Sequence, residues 1–507
     1  MEPATAVRPA PTYWLTRFVF LRLLGFLYLI GFLIALRQFR PLAGEHGLLP
    51  APQFLEAVGA TYGHGIGAFF RLPTVFWWGA TDTAFAACAW VGIALSACVV
   101  VGLANVPILA ALWLLYMSFV HVGQLFYGYG WEMLLLEAGF LAIFLCPLLS
   151  PHPFPRKTPP SAIVMVLLRW LAFRLMFGAG LIKLRGDPCW RDLTCMLYHY
   201  ETQPLPNPLS LYLHFMPAWF HRGEVLFNHL VELIVPWFVF GPRTLRHLAG
   251  ALLVAFQVLL ILSGNLSFLN WLTIAICVSC FDDGVWARLL PERLRARAAA
   301  LTVQTEAAPS RRFAERALAV VIGLLSVNPV LNMLSPGQLM NATFDPFELV
   351  NTYGAFGSIG RERNEIVLQG TYDAEPGPDA RWIDYEFKCK PGDVDRRPCV
   401  VSPYHHRLDW QMWFAAMSQA ESEPWLFHLV LKLLRGDPAV LSLMADGPFR
   451  RAPPRYIRAE LYRYRFARPG EGGNAWWRRT RLDTYLPPLA LDSPVLGETL
   501  AEFGWRD

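Results

Sequence analysis

His247 to Phe281 reads HLAGALLVAFQVLLILSGNLSFLNWLTIAICVSCF, a run of 35 residues without lysine, arginine, aspartate or glutamate. A helix rises about 1.5 Å per residue and the hydrocarbon core of a bilayer is about 30 Å thick, so roughly 20 apolar residues cross it once. The run therefore holds two short crossings, 247–263 and 265–281, and Ser263, Gly264 and Asn265 supply the break between them. Comparable stretches lie at 16–36, 83–103, 106–127, 131–149, 161–183, 225–241 and 317–334, which brings the expected total to about nine spans. The first is too long, and too lightly followed by small residues, to be a cleaved signal peptide; it is expected to remain as a signal anchor.

Composition agrees with this reading. The 507 residues are 54% apolar and only 16% charged, against about 25% charged in an average soluble domain. The polar residues concentrate after residue 335. The expected fold is a multi-pass α-helical membrane protein with a C-terminal α+β extramembrane domain. Residues 1–334 form the membrane part and 335–507 the outer domain, with outer loops at 37–82 and 184–224. A net charge of +5 is small for this length, and the arginines sit in loops beside apolar segments, so a nucleic-acid partner is not indicated.

Short basic loops stay in the cytoplasm. The loop 282–316 carries Arg288, Arg293, Arg295, Arg297, Arg311, Arg312 and Arg316, which places it inside and delivers the C-terminal domain to the opposite compartment. Cys189 and Cys195 then share one outer loop, and Cys389 and Cys399 lie ten apart in the outer domain. Two local disulfides in an oxidising compartment follow. Neither pair has CxxC spacing, and no metal is expected.

In the outer domain, apolar and polar residues alternate over 364–372, 382–389 and 456–466, as in half-buried strands, while 408–419 and 424–434 have helical patterns. Inside the spans, Arg22, His121, Glu132, Glu137, Arg169, Arg174, Lys183, His229 and Glu232 require partners or water. Their depths place Arg174, Glu137 and Glu232 at one level, with Lys183, Glu132 and His229 nearer the outer mouth. His229 and Glu232, three apart, share a helix face. Such a set is either an interhelical network that fixes packing or the lining of an outward-opening polar cavity around Lys183.

Three stretches carry a resemblance to a known family. Cys195–Pro208 reads CMLYHYETQPLPNP, 351–365 reads NTYGAFGSIGRERNE, and 387–414 reads FKCKPGDVDRRPCVVSPYHHRLDWQMWF. All three resemble the lipase maturation factor family, from the first span to about residue 470. The resemblance implies a multi-pass protein of the endoplasmic reticulum membrane in eukaryotes, or the inner membrane if the host is bacterial, with its C-terminal domain lumenal or periplasmic. Its partners are then client secreted proteins, lipases among them, together with membrane lipid. No cofactor is implied.

The residues in these motifs admit plainer roles. Gln203 to Pro208 is stiffened by its prolines into an extended strip, which can contact clients or strut the outer domain. On an extended chain His199 and Glu201 point to one side, and with Asn207 they make the loop's candidate client contacts. Asp409 and Arg407 can pair at the head of an amphipathic helix whose apolar side carries Trp410, Trp413 and Phe414. That side is core or an aromatic client patch. More distantly, Gly178–Leu184 (GAGLIKL), followed by Trp190, is similar to the stretch of vitamin K-dependent γ-carboxylases that supplies their catalytic lysine. By that match Lys183 is a base acting on a lipid-soluble substrate or cofactor, with His229 and Glu232 beside it. The carboxylase histidine near Trp131 has no counterpart, so a non-enzymatic folding factor is the preferred expectation.

Overall fold

The computed structural model describes residues 12–302, 307–377, 379–470 and 473–505. The start of the membrane part, residues 303–306 of the basic loop and the last two residues of the outer domain lie outside the described residues. Each of the nine expected spans coincides with a helix: α1 (Trp14–Ala43), α2 (Asp82–Val101), α3 (Val106–Val122), α4 (Gly130–Ile143), α5 (Ala162–Arg185), α6 (Ala218–Phe240), α7 (Arg243–Ser263), α8 (Leu269–Cys280) and α9 (Pro309–Leu334). Six of these, α1, α2, α5, α6, α7 and α9, are long and apolar enough to cross a membrane. Helices α3, α4 and α8 are shorter. Almost every residue of α4 is buried in protein, so little of its length meets lipid and nothing requires it to match a bilayer.

Local chemistry sets the helix ends. Asn105 accepts a hydrogen bond from Ile108 N at 3.0 Å at the start of α3, and the side chains of Thr81 and Ser161 cap α2 and α5 in the same way. Gly102, with φ of 106°, closes α2 in the left-handed conformation that a side chain disfavours. Helix α6 is irregular: a π turn over Leu230–Ile234 runs into a 3₁₀ segment, Val235–Phe240, containing Pro236. Proline cannot donate to the ladder, and the shifted turns rearrange its hydrogen bonding.

Beyond the membrane part, β1 (Arg363–Thr371), β2 (Ile383–Asp384), β3 (Tyr456–Phe466) and β4 (Trp477–Leu489) form an antiparallel sheet in the order β2-β1-β3-β4. Arg363 pairs with Tyr464 at one end of β1 and Thr371 with Tyr456 at the other. The strand expected over 382–389 is only two residues long. Its continuation turns away because Cys389 N and Lys390 N donate to the Asp409 carboxylate at 2.6 and 2.9 Å. Helices α10 (Arg407–Ala415) and α11 (Pro424–Leu434) complete this part.

The two parts share one continuous apolar core, in which Phe20 and Leu24 of α1 belong with Trp425, Leu426 and Ile457 of the outer region. Residues 351–357 lie along α5. A side chain at Gly178 would meet Tyr353 O at 2.7 Å, Gln338 Nε2 donates to Gly178 O at 2.9 Å, and Trp190 Nε1 donates to Phe356 O at 2.9 Å. Gly178 of GAGLIKL thus serves close approach of backbone. Cys189–Cys195 and Cys389–Cys399 are both bonded, with Cα separations of 4.8 and 5.5 Å.

Candidate functional site

A cavity of about 530 Å³ opens beneath the outer loop, between α5, α6, α7 and α8. Lys183 reaches it from α5. Its Nζ donates to Glu232 Oε1 at 2.6 Å and to Asn228 Oδ1 at 3.0 Å, and Asn228 Nδ2 donates to Glu232 Oε2 at 3.0 Å. The Trp190 ring stands 5.0 Å from the ammonium. Gly180 permits this arrangement, since a side chain there would meet Glu232 Cβ at 3.0 Å and Leu233 at 2.7 Å. The helix-mate that joins Glu232 is therefore Asn228; His229 instead donates from Nε2 to Trp190 O at 3.0 Å. All three members of the Lys183 triad are buried, so their mutual pairing offsets desolvation.

Two further buried ion pairs lie where the C-terminal region meets the bundle. Glu137 on α4 pairs with Arg174 on α5, and its other oxygen accepts from Tyr353 Oη at 2.8 Å and Asn351 N at 3.1 Å. Arg174 also donates to Asn351 O at 2.6 Å. Glu132 pairs with Arg407 at 2.7 Å and accepts from Tyr116 Oη and, at 3.0 Å, from Trp131 Nε1. The Arg407 guanidinium also stacks 3.5 Å from the Tyr127 ring and donates to Phe126 O at 2.7 Å. Each intramembrane carboxylate of α4 thus has, besides nearer partners, one more than 200 residues away in the chain: Asn351 and Tyr353 for Glu137, Arg407 for Glu132. Arg17 of α1, missed in reading the sequence, donates to Leu145 O, Pro153 O and Thr158 O. No cluster of three or more metal-ligating side chains occurs among the described residues.

Known proteins resemble this chain in sequence. The lipase maturation factor transmembrane domain matches residues 15–288, and the lipase maturation factor C-terminal domain matches 349–487. The chain belongs to the lipase maturation factor family. Its similarity to individual lipase maturation factors runs almost end to end. It is 51% identical to lipase maturation factor 1 of Bos taurus, over 95% of this chain and 90% of that protein. Identity to the Homo sapiens protein of that name is 49%, covering 97% and 91%. Lipase maturation factor 2 of Xenopus laevis is 31% identical over 97% and 85%. No solved structure matches significantly. These comparisons support the maturation-factor resemblance and lend nothing to the carboxylase one.

In this family member the residues expected to meet clients are drawn inward. The segment Met196–Thr202 is an α-helix, not an extended strip, so His199 and Glu201 diverge: His199 lines the cavity, while Glu201 accepts from Phe466 N at 2.7 Å. Asn207 caps the next short helix and donates to Leu262 O at 2.9 Å. Asp409 does not pair with Arg407 but holds the backbone of Cys389 and Lys390. Trp410 is buried, and Trp413 donates from Nε1 to Thr202 O at 3.0 Å. Phe414, at 40% exposed, is the most open member of that face, with Trp413 partly buried beside it.

Two histidines make the loop acid-sensitive. Burial, aided by Lys183, pushes the His199 imidazole down to about 4, and burial, aided by His221, does the same to His214. An unfolded histidine titrates near 6.5, so between about pH 6.5 and 4 the unfolded chain binds more protons than the folded one. Stability therefore falls as pH drops through that window. We expect a loss of about 1 kcal/mol per histidine between pH 7.5 and 5.5. Thermal unfolding of the detergent-solubilised protein, compared with His199→Phe and His214→Phe variants, would reveal it as a flatter pH profile in each variant.

Proposed function

We propose that this protein assists the maturation of secreted lipases, acting without chemistry of its own from the lumenal or periplasmic side of its membrane. The near full-length identity of 51% to a lipase maturation factor 1, spanning both membrane and C-terminal parts, carries this reading. The architecture is in keeping with it. A multi-pass bundle with a continuous core and two disulfide-closed loops presents a rigid outer surface. Client contacts belong on exposed apolar side chains of that surface, such as Phe414 and Met417 at 40% and 60% exposure. His199, Glu201, Asn207, Asp409, Trp410 and Trp413 hold the surface in shape from below.

The test is complementation. In cells deprived of their own lipase maturation factor, expression of this chain is expected to restore secretion of active lipase, and a Phe414→Asp, Met417→Asp double variant is expected to insert normally but restore little. Inactive lipase despite full insertion of the unaltered chain would refute the function. Unimpaired rescue by the double variant would refute the surface.

Orientation is tested separately. A reporter active only in the cytoplasm is expected to work when fused after Arg297 and to fail after Asp507, because the arginines of 288–316 mark the cytoplasmic face. Activity at both positions would place the C-terminal region in the cytoplasm and remove the disulfide-forming compartment from the proposal.

A further inference from the structure

The cavity beside Lys183 has walls and ends of different character. Its walls are side chains such as Met176, Phe227, Phe256 and Leu260. On one flank Leu209, Trp219, Leu259 and Leu262 line it while remaining 43%, 73%, 52% and 52% exposed. The apolar outer surface of α7 therefore continues into the cavity without a polar rim, and an entrant comes from the bilayer rather than from water. At the far end stand the Lys183, Asn228 and Glu232 triad and His199, which is buried and whose Nδ1 has no hydrogen-bond partner. A buried polar atom left in this way is costly unless a guest supplies the missing bond.

The charge balance narrows the guest. Among the described residues lining the cavity, Lys183 is the one lysine or arginine, and Glu232 neutralises it while Glu224 adds a second carboxylate. An anionic head would meet excess negative charge in a desolvated site. The volume is in the range of about 300 to 1,000 Å³ that holds one drug-sized ligand, which suits one acyl chain and not a two-chain phospholipid.

We propose that this cavity binds a neutral single-chain lipid, with its acyl chain between α6 and α7 and a hydroxyl- or ester-bearing head against Lys183, Asn228 and His199. The site stands apart from the maturation role and does not require it. Bound lipid fills a void beneath the outer loop and satisfies His199, linking the membrane to the surface above.

The test uses the full chain in nanodiscs and a diazirine-bearing monoacylglycerol as photoprobe. We expect saturable labelling that maps to peptides of α5 to α8, competed by unlabelled monoacylglycerol and at least about tenfold less well by the matching free fatty acid, lysophospholipid or alkylamine. Ala179→Trp and Leu260→Trp, which fill the cavity, are expected to cut labelling about tenfold with unchanged melting. Should either variant misfold, competition on the unaltered protein decides. Non-saturable labelling, crosslinks elsewhere, or full labelling of a folded filled variant would overturn the site. Equal competition by a charged analogue would overturn the neutral head.

Discussion

Arg407→Ala is expected to destabilise the protein by about 3 to 5 kcal/mol, because it strands Glu132 as an uncompensated charge in a dry interior. Both side chains are completely buried, and their 2.7 Å pair crosses from α10 to the head of α4. The same truncation orphans Phe126 O and removes the cation stacked on Tyr127. A second variant separates charge from packing. Arg407→Met combined with Glu132→Gln removes both charges at similar volume, and is expected to recover most of the lost melting temperature, since swapping a buried pair for neutral groups is often nearly neutral. Thermal unfolding in detergent checks both. Arg407→Ala melting like the unaltered protein would mean that the outer region is not docked through this pair.

Arg363→Ala is expected to cost a similar amount, about 3 to 5 kcal/mol, for a different reason. Arg363 is fully buried at the start of β1, pairs with Glu365, and donates to Glu201 O at 2.9 Å, Pro204 O at 2.8 Å and Gln203 O. One planar fork thereby ties the proline-stiffened loop to the sheet. Glu365 keeps Lys390, at 2.8 Å, so the charge is less exposed to loss than the three carbonyls are. Lysine offers a point charge and cannot serve three carbonyls and a carboxylate together, so Arg363→Lys is expected to rescue little. Limited proteolysis should then cut within 196–208, and secreted lipase activity should fall in parallel. A loop that stays resistant in Arg363→Ala would show that Trp413 and Asn207 hold it without the arginine.

Much of this layout was legible from residues. The helices at the nine expected spans follow from apolar runs, because burial in lipid acts on every residue of a span and leaves its mark locally. Strand β3 was legible over its full length because one of its faces is buried and the other half-exposed. Strand β4 was not: it lies at the sheet edge, carries Arg478, Arg479, Arg481, Pro487 and Pro488, and is mostly exposed, so no alternation was imposed on it. The helix Met196–Thr202 was not legible, because it is short and the prolines that follow it stiffen only their own segment.

By itself, then, the sequence determined that Glu132, Glu137 and Lys183 need partners, since the cost of burying a charge depends on the side chain and its apolar neighbours in the same span. It also determined the two cysteine pairs, whose short separations leave little freedom for other partners. Only the tertiary structure decided who answers those charges: Arg407 for Glu132, Tyr353 with Arg174 for Glu137, Asn228 with Glu232 for Lys183. The penalty is local but its relief is not, because a partner is chosen by where glycine-lined backbones such as those at Gly178 and Gly180 can close to contact, and periodicity in the chain carries no record of that meeting.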